Sequence, residues 1–248
     1  MSLLSNKIAL VTGGSRGIGA EVARRLAREG ATVALTYAKS PDRAQGVVDE
    51  IERGGGRARA FQSDATDVEA APQLVERVVA AFGGLDVLVN NAGSFFPAPL
   101  AESTLASYAD NFDLNVRGVH EVTRAALPHL RDGGRIVNIG SSYARRPGPG
   151  TGAYGATKAA VHAFTQAWSK ELAGRRITVN TVSPGSTDTE LNPSDPAVNP
   201  SAEGQLAGTP LGRFGTVAEV AAVVAFLAGP EASFVTGAEI PVDGGFTA

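Results

Sequence analysis

The chain has no cysteine among its 248 residues, which excludes a disulfide framework and any thiolate metal site. Its three histidines, His120, His129 and His162, are scattered without metal-ligand spacing, so no metal is expected. Charge of neither sign dominates. The formal net charge is −3 and no basic block occurs, which argues against a nucleic-acid partner. No apolar run reaches the length needed to cross a membrane. The start, Met1-Ser2-Leu3-Leu4-Ser5-Asn6, has no signal-peptide pattern, so a cytoplasmic location is the expectation. Repeats, low-complexity tracts and linkers are also missing. Strand and helix signals alternate throughout, which predicts one α/β domain over residues 1–248 with a substantial core.

An apolar strand over residues 7–12 runs into Gly13-Gly14-Ser15-Arg16-Gly17-Ile18-Gly19, followed by a helical pattern over residues 20–29. Strand, glycine-rich turn and helix present backbone N–H groups and a helix N-terminus to a phosphate. The glycine spacing here is G-x-x-x-G-x-G. Strands are also predicted at 32–37, 59–62, 85–90, 135–139, 177–182 and 239–242. Ser40-Pro41 predicts a helix start with a serine cap. Thr66-Asp67-Val68-Glu69 and Thr216-Val217-Ala218-Glu219 have capping-box spacing. One long helix is predicted over residues 105–130. Periodicity fails between residues 184 and 215, which contain five prolines, Pro184, Pro193, Pro196, Pro200 and Pro210. A loop of that length in a compact domain suggests a lid, placed at about 187–208.

Polar residues collect where strands end: Asn90-Asn91-Ala92-Gly93 after one strand, Ser141-Ser142 after another. Open parallel sheets bind ligands beyond those ends. Tyr154 and Lys158 stand four apart in an alanine-rich helical stretch over residues 155–173, so they share a helix face. An ammonium beside a phenol is expected to lower the phenol pKa, which makes the tyrosine usable as an acid and base.

Thr12-Gly13-x-x-x-Gly17-x-Gly19, Asp64, Asn90-Asn91-Ala92-Gly93, Asn115, Ser141, Tyr154, Lys158 and Pro184-Gly185 together resemble the short-chain dehydrogenase/reductase family over nearly the whole chain. With the ending Pro241-Val242-Asp243-Gly244-Gly245, the look is closest to bacterial 3-oxoacyl-(acyl carrier protein) reductases and related ketone reductases. The resemblance implies a Rossmann-type doubly wound, mostly parallel sheet with helices on both faces. It implies catalytic roles for Asn115, Ser141, Tyr154 and Lys158, with Ser142 the alternative serine. It also implies dinucleotide contacts from Gly13, Ser15, Arg16, Gly17, Ile18, Gly19, Tyr37, Lys39, Ser40, Asp64, Ala65, Asn91, Ala92, Gly93, Pro184, Gly185, Thr187 and Thr189, besides Tyr154 and Lys158. A homotetramer built on paired helices 105–130 and 155–173 is implied too. Ala159, Ala160, Ala163 and Ala167 would permit close packing there, or would face the chain's own sheet.

Strand two ends in Tyr37-Ala38-Lys39-Ser40 with no acid. Lys39 and Arg16 favour a 2′-phosphate, hence NADP. The substrate is expected to be a small carbonyl compound: an acyl thioester, or a ketone, keto ester or diketone. Phe95 and Phe96 suggest an apolar wall. Arg145 and Arg146 would meet an acidic group, a neighbouring subunit or solvent. The alternatives are an alcohol, sugar or steroid dehydrogenase working oxidatively, a non-catalytic NADPH sensor and an assembly scaffold.

Overall fold

A computed structural model describes residues 2–67 and 69–248. The start and the Thr66–Glu69 spacing therefore each include a residue, Met1 and Val68, outside the described set. Strands β1 (Ile8–Val11), β2 (Thr32–Tyr37), β3 (Arg57–Gln62), β4 (Leu85–Asn90), β5 (Leu130–Ile139), β6 (Thr178–Pro184) and β7 (Glu239–Val242) form one sheet. Its order is β3-β2-β1-β4-β5-β6-β7, and every pairing is parallel. The chain builds outward from β1 to β3, then crosses back to lay β4 beside β1. That reversal opens a crevice at the carboxyl ends of β1 and β4, the usual ligand position in such sheets.

Helices cover both faces: α1 (Gly17–Arg28), α2 (Pro41–Arg53), α3 (Ala70–Phe82), α4 (Leu105–Phe112), α5 (Gly118–Ala126), α6 (Gly152–Glu171), α7 (Ala202–Ala207) and α8 (Val217–Ala228). The strand alternation sorts side chains into two cores. Ala9, Val11, Val33, Leu35 and Val137 pack with Val22 of α1, Val48 of α2 and Val224 of α8. Ile8, Leu10, Ala34 and Ile136 pack with Val75 of α3 and Val122 of α5. Cover on both sides explains why β1, β4 and β6 are buried at every position and why β1, Ile8-Ala9-Leu10-Val11, reads as an apolar run rather than as an alternating pattern.

The capping box at Thr216 forms in full, with the Thr216 hydroxyl accepting from the Glu219 N–H and the Thr216 N–H donating to Glu219. The one expected at Thr66 does not. The Thr66 N–H (3.0 Å) and hydroxyl (2.7 Å) both donate to Asp64 Oδ1, and α3 starts only at Ala70. Ser40 stands at the N-cap of α2 but makes no side-chain cap bond. The helix expected over 105–130 is broken. A π-helical turn, Asp113–Arg117, separates α4 from α5, and α5 ends at Ala126, with Leu127 still in helical backbone and Pro128 lacking the N–H that would carry the helix on.

Candidate active site

The first βα turn is shaped by three glycines with separate duties. Gly13 (φ 65°) and Gly17 (φ 54°) occupy left-handed backbone, which side chains resist. A Cβ on Gly19 would lie 2.3 Å from Asn91 Nδ2 and 2.4 Å from Gly13 O, so α1 packs this closely only with glycine. Asn91 Nδ2 donates to the carbonyls of Thr12 (2.9 Å) and Gly13 (3.0 Å). The Thr12 hydroxyl accepts from the N–H groups of Asn91 and Ala92. These bonds tie the ends of β1 and β4 together. No side chain caps the N-terminus of α1, and Gly17, Ile18 and Gly19 line the crevice. An uncapped helix start with tight glycine backbone accepts a phosphate.

The crevice is a cleft of about 1340 Å³ that runs from the glycine turn to Tyr154. Every residue implied above as a dinucleotide or catalytic contact lines it, save Asn115. Asn115 is fully buried within the π-helical turn. Its Nδ2 donates to Ser94 O (2.9 Å) and its Oδ1 accepts from Ser94 N–H (3.0 Å). A Cβ on Gly93 would sit 2.8 Å from that Oδ1 and 3.5 Å from Lys158 Nζ. Asn115 therefore stands behind the cleft wall, one residue's thickness from the lysine.

Ser141 closes β5 and N-caps the short turn Ser142–Ala144, its Oγ accepting from the Tyr143 N–H (3.2 Å). Tyr154 lies in the first turn of α6, and Lys158 follows one turn later. The Lys158 side chain is buried and donates to Ile139 O (2.9 Å). Its Nζ stands 5.8 Å from the Tyr154 ring centre. The expected lowering of the Tyr154 pKa is not what this environment produces. Burial pushes the phenol up to about 12, only partly offset by its hydrogen bond with Ser141. Burial also brings the Lys158 ammonium down to about 8. Spacing put the two groups on one helix face, but loss of solvent is the leading cause of both shifts. At neutral pH the tyrosine is a protonated phenol and the lysine remains mostly an ammonium.

Among the described residues neither Arg16 nor Lys39 has an ion-pair partner. Lys39 acts on Asp64, whose carboxyl is held low first by its hydrogen bonds from Thr66 and less by the Lys39 charge. Arg145 is bound to the buried Glu239 carboxylate (2.8 Å), which also accepts from the Ser183 hydroxyl (2.7 Å). So Arg145 answers an acid of its own chain. Arg146 lines the cleft, donates to Phe246 O (2.7 Å) and lies over the Phe246 ring (5.0 Å). Phe246 was not foreseen: it follows the last strand, where no periodicity signals that the tail folds back.

Residues of the 187–208 segment, among them Thr189, Leu191, Asn192 and Gln205, line the cleft. Gly17 faces Thr189, Arg43 of α2 pairs with Glu190, and the amides of Asn192 and Gln205 exchange two 3.0 Å hydrogen bonds. Leu191 and Leu206 are both exposed, and only Leu191 of the two lines the cleft.

A family profile described as enoyl-(acyl carrier protein) reductase matches residues 13–247. The chain is 40% identical over 241 residues to a 3-oxoacyl-(acyl carrier protein) reductase of Staphylococcus aureus, covering 96% of this chain and 97% of that one. It is 39% identical over 245 residues to a hydroxynaphthalene reductase of Aspergillus fumigatus, covering 94% and 90%. The chain belongs to the short-chain dehydrogenase/reductase family. Among solved short-chain dehydrogenases, one from Burkholderia cenocepacia in complex with NADP superposes with a TM-score of 0.96 at 48% identity, over 99% of this chain and 100% of that one.

Proposed function

We propose that the protein is an NADPH-dependent reductase of small ketones. The observation that carries this is the grouping of Ser141, Tyr154 and Lys158 at the inner end of a dinucleotide-sized cleft. The NADP-bound relative and the two reductase relatives support it. When bound, the nicotinamide supplies a hydride to the carbonyl carbon. As negative charge grows on the carbonyl oxygen, Tyr154 donates its phenolic proton and Ser141 holds that oxygen by a hydrogen bond. Lys158 keeps positive charge beside the phenol and binds the ribose. Asn115, behind Gly93, serves the proton path to the lysine. A protonated Tyr154 phenol is the form that donates in the reducing direction.

Docking of an acidic carrier protein would call for free surface cations, but Arg124 pairs with Glu121 (2.7 Å) and Arg131 with Asp86 (2.8 Å) within the chain. This favours free ketones over carrier-bound thioesters. The deciding assay follows NADPH oxidation with a panel of ketones, diketones and β-keto thioesters. No turnover of any of them would remove the reading.

The 187–208 segment is the lid of this site. Closure excludes water from the hydride transfer. Hydrogen exchange across it should slow when NADPH and a substrate analogue bind, and Leu191→Ala should raise KM. Unchanged exchange with normal kinetics would make it an inert loop. The subunits assemble as a homotetramer. Ala159, Ala163 and Ala167 of α6 are exposed, so they face away from the chain's own sheet and leave a close-packing surface. Light scattering at micromolar concentration should give four times the 25.3 kDa chain mass; a monomer would refute this.

A further inference from the structure

We propose that the rings of Phe95 and Tyr143 form a stacking platform that selects ketones carrying a flat ring, a substrate class resting on the reductase reading above. The two rings lie 17° from parallel with centres 6.1 Å apart. Both stand nearly perpendicular to the Tyr154 ring, at 86° and 4.9 Å for Phe95 and at 81° and 6.3 Å for Tyr143. A molecule resting on them thus lies beside the proposed proton donor. Phe246 extends the aromatic wall, crossing Tyr143 at 88° and 6.2 Å.

The platform receives a guest on its open side. A ring held between two others needs roughly 7 Å, twice the contact distance between carbon atoms, and 6.1 Å is too narrow. Phe95 is 45% exposed and lines the cleft, so its surface is available rather than spent in the core. Edge-to-face and offset contacts exploit the ring quadrupole, which a saturated chain lacks.

Both rings are fixed through their backbones by buried groups. Phe95 stands between Ser94, held on N–H and C=O by Asn115, and Phe96, whose carbonyl accepts from Asn111 Nδ2 (2.9 Å). Asn111 and Asn115 are both buried. Tyr143 is held by its N–H bond to Ser141 Oγ, and a Cβ on Gly155 would lie 2.6 Å from Tyr143 O. Helix α6 therefore reaches Tyr143 only because residue 155 is glycine. Such pinning preorganises a surface for binding.

The test compares 2-tetralone with trans-2-decalone, which place an unconjugated ketone alike and differ in whether the second ring is aromatic. With NADPH, kcat/KM is expected to favour the tetralone roughly tenfold, since each aromatic contact is worth about two- to tenfold. In Phe95→Leu the ratio should fall toward one, and Phe95→Tyr should restore it. A wild-type ratio near one, or a ratio unchanged in Phe95→Leu, overturns the platform. Calorimetric titration of 2-naphthol and trans-2-decalol onto the protein with NADP reads the same preference without turnover. Tighter naphthol binding that is lost in Phe95→Leu supports the platform even if no ketone is reduced, in which case the reductase reading fails alone. Equal binding of the two alcohols overturns the platform.

Discussion

Tyr154→Phe is expected to lower kcat for ketone reduction by roughly 10²–10⁴, the usual contribution of a positioned proton donor, while NADPH affinity stays near its wild-type value. The substitution removes only the hydroxyl. The ring remains to pack edge-on against Phe95 at 4.9 Å and near Tyr143, so the cleft keeps its shape. The size of the loss follows from the environment: a phenol held up to about 12 by burial keeps its proton until the carbonyl oxygen becomes basic enough to take it. Lys158→Ala should behave differently. Its buried ammonium donates to Ile139 O, and truncation leaves that carbonyl without its partner as well as removing the charge. Both rate and NADPH binding should therefore suffer. Single-turnover kinetics beside a fluorescence titration of NADPH separate the two effects. Retention of more than about a tenth of wild-type activity by Tyr154→Phe would rule out the proposed proton donor.

The same residues mark how far the sequence can be read. The glycine turn, the strand ends at Asn91 and Ser141 and the α6 pair were legible because each is a local pattern with one steric solution. The Thr216 cap formed as read because the Glu219 carboxylate returns to the Thr216 N–H at 2.8 Å. The Thr66 cap failed because the Glu69 N–H donates to Asp67 Oδ1 (3.0 Å) and the Thr66 N–H to Asp64 Oδ1 (3.0 Å). That competition depends on where β3 ends, not on the spacing itself. Spacing alone did not mark the break at Asp113–Arg117, since Asn115 earns its place through Ser94, 21 residues away. The Tyr154 pKa was misjudged for a related reason: an i, i+4 spacing fixes a shared face but not the depth to which the fold buries it. Phe246 and Asn111 were illegible, as each acts through contacts made only after the chain closes.

NADPH is expected to exceed NADH in kcat/KM by at least tenfold. The end of β2 lacks the acid that would bind a ribose 2′-hydroxyl and repel a 2′-phosphate. In its place stand Tyr37, Lys39 and Ser40, all lining the cleft with Arg16 opposite in the glycine turn. Arg16 and Lys39 are exposed and, among the described residues, unpaired, so no internal carboxylate must be displaced before they meet a dianion. One phosphate contact of about 1.4 kcal/mol is tenfold in affinity. Two would exceed that, but exposed charges are screened by salt, which sets tenfold as the floor and predicts a preference that shrinks as ionic strength rises. Lys39→Asp replaces attraction by repulsion at one of the two positions. It should cut kcat/KM for NADPH by roughly 10- to 100-fold and leave NADH, which has no 2′-phosphate, much less affected. The measurement is kcat/KM for both cofactors, wild type and variant, at low and high salt. If the wild type used NADH as well as NADPH, or if Lys39→Asp left the ratio intact, the 2′-phosphate would have to lie away from Lys39.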